Sequence, residues 1–350
     1  MRTAIFGLGG VADRIHLPAC GQVREIELIA ACDPNPAVRK AGLVPRVYES
    51  VSELLSNESP ELVIVGAPPD AHFDLCKAAL EAGAHVLCEK PFTETLEQAD
   101  DLIDFAESSG RLLAVNTQSR FMEIYQRTRE RIAAGEFGEP YAIQAWQQMN
   151  HPPSAEQVDW RRRLTNSTLY EFGGHAIDLL CLMFDAVPET ISANTPTVAT
   201  HASDVLVQAT LRFPADRLAT LWFNRVTQAP QRYLEMRIDC PEASLRLSLG
   251  GLARASVEWT GRPNLRASYV RGGEAREERA GASHAYARQA KPAFMSATAA
   301  HLREIVRQIE TKSVDLTSAR RARHVLATTL AGYDSASGGG RPVEIARMPS

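Results

Sequence analysis

The residues best able to do chemistry lie in Val86-Leu87-Cys88-Glu89-Lys90-Pro91, where an apolar run that reads as a buried strand passes straight into a Glu-Lys-Pro turn. Such a turn sets an ammonium group at the carboxyl edge of a sheet, the edge at which open α/β sheets bind their ligands. Pro91 restrains the Lys90 backbone to an extended conformation, with a cis peptide open to it, so the lysine is aimed rather than free. An amine aimed at a cofactor site can share the proton of a substrate hydroxyl. The plain alternative is a solvated loop lysine, and the strand in front of it argues for more.

A second constellation supplies what such a lysine would face. Gly7-Leu8-Gly9-Gly10-Val11-Ala12 follows the first apolar run and opens a helical pattern, giving Gly-x-Gly-x-x-Ala. The first glycine permits a tight turn, the second lets backbone approach a pyrophosphate, and the small last residue lets helix pack on strand. Alone the pattern is weak, because glycine-rich strand-to-helix turns also arise from packing. Its context strengthens it: residues 26–32 read as a second strand ending in Asp33, where a carboxylate accepts bonds from the adenosine ribose hydroxyls. An acid there repels a 2'-phosphate, which favours NAD, while Arg39 and Lys40 a turn later leave NADP possible. The alternative for Asp33 is a turn residue before Pro34. Gly66-Ala67-Pro68-Pro69-Asp70 would pass beneath the nicotinamide half, making Ala67 and Pro68 cofactor contacts. Asp70 reads equally as a cap of the next helix, and His72 as a structural residue satisfying loop backbone.

The elements that must position these residues follow from periodicity. Strand-like runs at 3–6, 26–32, 62–66, 84–88 and 112–115 alternate with amphipathic segments such as 71–82 and 96–108. That alternation specifies an α/β fold with a doubly wound parallel sheet. Beyond residue 118 the pattern changes to a helix over 121–134 ending at Gly135, a strand at 141–149, a Pro- and Arg-bearing loop over 151–168 and a helix near 170–184. From 189 to about 271, alternating strands predict a mostly antiparallel sheet. The charged, glycine-rich stretch 272–281 reads as an exposed loop. Helices over about 292–311 and 316–335 and a last strand at 342–345 close the chain. Two domains are expected, 1–118 and 119–350.

With 350 residues, 45% hydrophobic and 23% charged, the chain has the composition of a soluble globular protein. A net charge of -4 without a sustained basic run argues against nucleic acid or an anionic membrane as partner. No apolar run reaches the ~20 residues of a spanning helix, and the first residues enter a strand at once without a signal peptide, so a cytoplasmic location is expected. Cys20, Cys32, Cys76, Cys88, Cys181 and Cys240 sit singly in apolar segments. They read as buried free thiols, and no metal site is expected.

Together the chain resembles the Gfo/Idh/MocA family of oxidoreductases. The resemblance rests on Gly-Leu-Gly-Gly, Glu-Lys-Pro, Asn116 with Arg120-Phe121, Trp160-Arg161, Gly174-His175-Ala176-Ile177-Asp178 and the closing Tyr333-Asp334-Ser335-Ala336, spread over nearly the whole length. It implies an N-terminal Rossmann domain that binds a nicotinamide nucleotide, with Glu89 and Asn116 beside the cofactor. It further implies a C-terminal α+β domain whose open sheet joins homodimers or homotetramers. The chemistry implied is hydride transfer at a secondary alcohol or ketone of a sugar, inositol or related polyol. His175 is then the general acid/base, Lys90 assists it, and Glu171 orients the substrate or tunes the histidine. Separated by four on a helix, Glu171 and His175 share one face. Arg120, Trp160, Arg161, Arg163 and Asn166 fall on the substrate side.

Two departures from the family pattern stand out. Glu171 replaces the usual Asp, and Leu164-Thr165-Asn166-Ser167-Thr168 replaces a glycine-rich run, predicting a more polar, less flexible lip and an unusual substrate. Arg161, Arg162 and Arg163 suit a carboxylate or phosphate, or are a solvated run with one structural Arg beside Trp160. The same residues also fit an NAD-dependent glycosidase working through transient sugar oxidation. A non-catalytic nucleotide-sensing regulator is a third reading, against which the retention of Lys90 and His175 argues.

Overall fold

The apolar runs of the first 120 residues become β1 (Arg2–Phe6), β2 (Glu27–Cys32), β3 (Arg46–Tyr48), β4 (Leu62–Val65), β5 (His85–Cys88) and β6 (Leu113–Val115), all parallel, in the order β3-β2-β1-β4-β5-β6. Between them run α1 (Leu17–Cys20), α2 (Val51–Glu58), α3 (His72–Glu81) and α4 (Leu96–Ser108). This is the computed structural model of residues 1–39, 42, 44–152, 159–198, 201, 203–228, 232–250, 254–259, 263–268, 272–290 and 292–348. Lys40 and part of the loop expected over 151–168 lie outside the described residues.

A parallel sheet must be covered on both faces, and its residues divide accordingly. Ala4, Phe6, Val63, Val65, Val86 and Cys88 enter one core with α2, α3 and α4, whereas Ile5, Ile64, Leu87 and Ala114 enter the other with α1. The glycine loop leads into a π-helical turn, Ala12–His16, and then α1, rather than a regular helix. α4 opens on a capping box, in which Thr95 accepts the Gln98 N–H and the Gln98 side chain returns to Thr95.

The rest of the chain begins with α5 (Glu123–Ala133), which stops before Gly135 at φ +76. It continues through β7 (Ala142–Gln148), α6 (Asp159–Arg163), a π-helical turn Thr168–Gly173 and α7 (Gly174–Phe184). β8 (Thr190–Asn194), β9 (Leu206–Phe213), β10 (Arg217–Asn224), β11 (Arg232–Asp239) and β12 (Ser244–Leu249) follow, and then the hairpin of β13 (Arg254–Trp259) and β14 (Pro263–Ser268). β15 (Gly273–Arg279), β16 (Ala282–Gln289), α8 (Ala293–Glu310), α9 (Thr317–Ser337) and β17 (Val343–Glu344) complete it. A nine-stranded sheet runs β16-β15-β12-β11-β7-β10-β9-β8-β17. Only the β7–β10 pair is parallel, so the sheet is mixed and mostly antiparallel.

The stretch expected as an exposed loop over 272–281 is instead mostly β15, an interior strand between β12 and β16. Its charges misled: Glu274 is buried and paired with Arg276 at 2.8 Å, and only Ala280 and Gly281, both at positive φ, form the turn.

The chain divides into two compact units, Met1–Phe121 with Phe294–Leu326 and Met348–Ser350, and Met122–Ala293 with Ala327–Arg347. This differs from the expected contiguous segments 1–118 and 119–350 in where residues 294–326 go. The reason is the second face of the first sheet, which has only the short α1 from its own sequence neighbourhood. Ala299, Leu302, Ile305 and Val306 of α8 join that core, and Ala319 and Ala322 of α9 join the other. No helix among the described residues is long and apolar enough to cross a membrane.

Candidate active site

In the first unit the carboxyl ends of β1 and β4 meet at the point where the strand order reverses. A Cβ on Gly7, at φ +94, would lie 2.8 Å from the Ala67 nitrogen, so only glycine lets the two loops touch. A Cβ on Gly9 would meet no protein atom within 4 Å, whereas one on Gly10 would reach the Arg14 guanidinium. Val11 and Ala67 are half-buried, and Pro68 is exposed. Asp33, at the end of β2, accepts the Leu8 N–H at 2.7 Å on Oδ2 and the Asn35 N–H at 2.8 Å on Oδ1. It is thus both the turn residue and a carboxylate beside the glycine loop. Arg39 pairs with Glu49 at 3.3 Å. These features fit a dinucleotide: an uncrowded glycine turn for pyrophosphate and an acid for ribose.

Lys90 follows β5, two strands along from β1, and is half-buried, with a cis peptide to Pro91. Glu89 beside it is buried and its carboxylate is wrapped in protein donors. Oε1 lies 2.9 Å from His16 Nε2 and accepts from Asn116 Nδ2 at 2.7 Å, and Oε2 accepts the Lys90 N–H at 3.1 Å. Burial opposes the charge on Glu89, but the bonds from His16 and Asn116 and the charges of His16 and Lys90 prevail, holding its carboxyl down at about 2. Asn116, fully buried, also reaches Thr298 Oγ1 at 3.3 Å and His301 Nδ1 at 3.4 Å. His301 stacks on Phe121 at 4.4 Å; burial, and then the charge of buried Arg120, push it down to about 3. α3 has no side-chain cap, so Asp70 does not serve as one, and the His72 ring lies between the Ala67 and Pro91 carbonyl oxygens, 2.9 Å and 2.8 Å from its Nε2 and Nδ1.

In the second unit Glu171 lies in the π-helical turn and His175 in the first turn of α7, both buried. Arg161 Nε lies 2.9 Å from Glu171 Oε2, with its guanidinium 5.0 Å from the Trp160 ring. Glu171 is therefore held by an arginine of the Arg161-Arg162-Arg163 run, while Arg162, Arg163 and Asn166 are exposed. Ser167 and Thr168 are buried anchors rather than lip: their N–H groups bond Asp204 at 2.5 and 3.0 Å. The Tyr333 hydroxyl donates to Asp204 Oδ2 at 3.0 Å and accepts the Leu169 and Tyr170 N–H groups at 3.0 and 3.2 Å. Burial and the neighbouring Asp204 carboxylate raise the Tyr333 pKa well above its ordinary value. Arg225 donates to Ser167 Oγ at 2.8 Å and lies over the Phe172 ring.

His16, Thr298, His301 and Asp204 were not singled out from sequence. Only Tyr333 carried a signal, as part of the closing motif. The six cysteines are free, five of them buried and Cys181 half-buried.

The fold and its glycine turn define a dinucleotide-binding α/β protein. Residues 1–117 match the oxidoreductase family with an NAD-binding Rossmann fold, and residues 125–246 match the GFO/IDH/MocA C-terminal domain. The chain belongs to this Gfo/Idh/MocA family. D-glucoside 3-dehydrogenase of Escherichia coli strain K12 is 35% identical over 150 residues, 41% of this chain and 42% of that protein. The chain spans about half the length of the curated relatives that match it first. Among solved structures, an oxidoreductase from Agrobacterium radiobacter in complex with NAD+, L-tartaric acid and magnesium has a TM-score of 0.81 at 18% identity, covering 99% of this chain and 98% of that one. The myo-inositol 2-dehydrogenase from Lactobacillus plantarum has a TM-score of 0.78 at 18% identity, covering 99% of each chain. At that identity both likenesses concern the fold.

Proposed function

We propose that the chain is an NAD-dependent oxidoreductase acting on a secondary alcohol or ketone of a sugar, inositol or related polyol, with NADP the weaker cofactor. The observation that carries this reading is Lys90 at the carboxyl edge of an NAD-binding sheet, two strands from the glycine turn. When bound, the nicotinamide supplies the hydride acceptor or donor. Gly7, Gly9, Gly10 and Val11 would take the pyrophosphate, Asp33 the ribose, and Ala67 and Pro68 the nicotinamide half, with buried Asn116 and Glu89 supporting the Lys90 turn from behind. His175 takes the hydroxyl proton as general base, or returns it, and Lys90 shares that proton. Glu171 orients the substrate hydroxyls while Arg161 holds its carboxylate, an arrangement that the longer side chain of Glu supports. Arg120, Trp160, Arg163 and Asn166 complete the substrate contacts.

The likeness to D-glucoside 3-dehydrogenase supports a carbohydrate substrate. The open face of the nine-stranded sheet supports assembly into a homodimer or homotetramer. The test is an absorbance screen for reduced nicotinamide over sugars, glycosides, inositols and sugar acids with NAD+ and NADP+. Turnover of a carbohydrate alcohol is expected, and its absence across the panel would count against the reading.

A further inference from the structure

Two buried histidines outside the expected catalytic set hold the Lys90 turn. His16 follows the glycine loop within the same helical turn, and its Nε2 lies 2.9 Å from Glu89 Oε1. The other oxygen of that carboxylate accepts the Lys90 N–H. His72 opens α3 directly after the loop that follows β4. Its Nδ1 lies 2.8 Å from the Pro91 carbonyl oxygen and its Nε2 2.9 Å from the Ala67 carbonyl oxygen. Both residues are 0% exposed. Lys90 therefore stands between two neighbours that reach different cofactor-side loops: Glu89 bonds His16 after β1, and the Pro91 carbonyl lies against the His72 ring, whose other nitrogen faces the loop after β4.

We infer that His16 and His72 are positioning residues that make the Lys90 turn move as one piece with the two loops that hold the dinucleotide. The inference rests on the proposed role of Lys90 in proton transfer. Packing alone does not account for these side chains. His16 Nδ1 is buried with no hydrogen-bond partner among the described residues, a loss of about 1–3 kcal/mol that an apolar side chain of similar size avoids. What an apolar side chain cannot do is bond the Glu89 carboxylate. That carboxylate stays ionised at any working pH, and charge-assisted bonds of this kind fix geometry more firmly than neutral ones. His72 likewise sits within bonding distance of both loops at once, which no aliphatic residue reproduces.

The test is trace acetylation of the NAD-loaded full chain with acetic anhydride, read lysine by lysine by peptide mass spectrometry. Exposed Lys77 and Lys312 serve as internal references. His16→Leu and His72→Leu are expected to change Lys90 labelling against those references by about threefold or more. They are expected to lower kcat by about 10- to 100-fold, with NAD affinity little changed, because a reacting group misplaced by about an ångström loses up to ~100-fold in rate. His16→Gln, whose amide nitrogen can take the place of Nε2, is expected to restore both readouts. Unchanged Lys90 labelling in both leucine variants overturns the inference, whatever their activity. Changed labelling with unchanged kcat upholds the positioning and counts instead against the proton-transfer role of Lys90. Should a leucine variant fail to fold, His72→Asn decides: it keeps the reach to Pro91 and loses that to Ala67. Wild-type labelling of Lys90 there overturns the inference.

Discussion

In the proposed mechanism Lys90 shares the hydroxyl proton through an amine held in place by its neighbours, so Lys90→Ala removes that proton partner without touching the glycine turn. NAD binding measured by calorimetry is expected to persist while kcat falls by about 10²- to 10⁴-fold, the usual worth of a positioned acid or base. Full turnover in that variant would remove Lys90 from the mechanism. On the proposed reading, cofactor choice turns on Asp33 rather than on Arg39. The Arg39–Glu49 pair is largely exposed on the Glu49 side, and such pairs are worth about 0–1 kcal/mol, too little to keep Arg39 from a 2'-phosphate. Charge repulsion by Asp33 is the larger barrier. Asp33→Ser is therefore expected to shift the ratio of NADP to NAD affinity by about tenfold or more, equivalent to about 1.4 kcal/mol. An unchanged ratio would return the choice to other residues.

Elements hold these groups through bonds that titrate or can be deleted. Glu89 is held at about 2 against an ordinary 4.5, so its contribution, about 3 kcal/mol, is present above pH 4.5 and is lost as pH falls toward 2. His301 is pushed from 6.5 to about 3 by burial and Arg120, so between those values the unfolded chain binds the extra proton. Stability then rises with pH through that window. Both groups destabilise the first unit as acid is added, His301 first. His301→Gln is expected to flatten the pH dependence of the unfolding free energy from urea titrations between pH 6.5 and 4.5 by about 1.4 kcal/mol per pH unit, one proton's worth. An unchanged slope would show that His301 does not stay neutral in the fold. In the second unit, Tyr333→Phe leaves the Leu169 and Tyr170 N–H groups without their acceptor. A loss of about 1–3 kcal/mol is expected in urea unfolding, with reduced kcat because the turn bearing Glu171 loosens.

At the scale of the whole molecule, the nine-stranded sheet has two unlike faces. Ala145, Leu221, Phe223 and Val207 are buried on one. On the other, Trp222 is 43% exposed and lies in register beside Trp146, with Leu218 two pleats along β10. Exposed Trp222 beside half-buried Trp146 is the apolar patch through which the proposed assembly would form. Light scattering is expected to give a mass of two or four chains, and Trp222→Glu to lower it. An unaltered mass would place the contact elsewhere.

The parallel sheet, the glycine turn and the Lys90 turn were legible because each is local: short continuous apolar runs, a glycine where φ must be positive, a proline after a lysine. The same reading failed at β15. There buried Glu274 is neutralised by half-buried Arg276, and composition does not distinguish a paired charge from a solvated one. Tertiary structure alone decided the rest, because the contacts span large sequence separations. α8 returns some 180 residues after β6 to cover the first sheet, Asp204 reaches back 36 residues to anchor the turn of Glu171, and His16 bonds Glu89 73 residues on. Residue types and spacing determined which groups are available for chemistry. Only the packing of both faces of the first sheet determined what holds Lys90 in place.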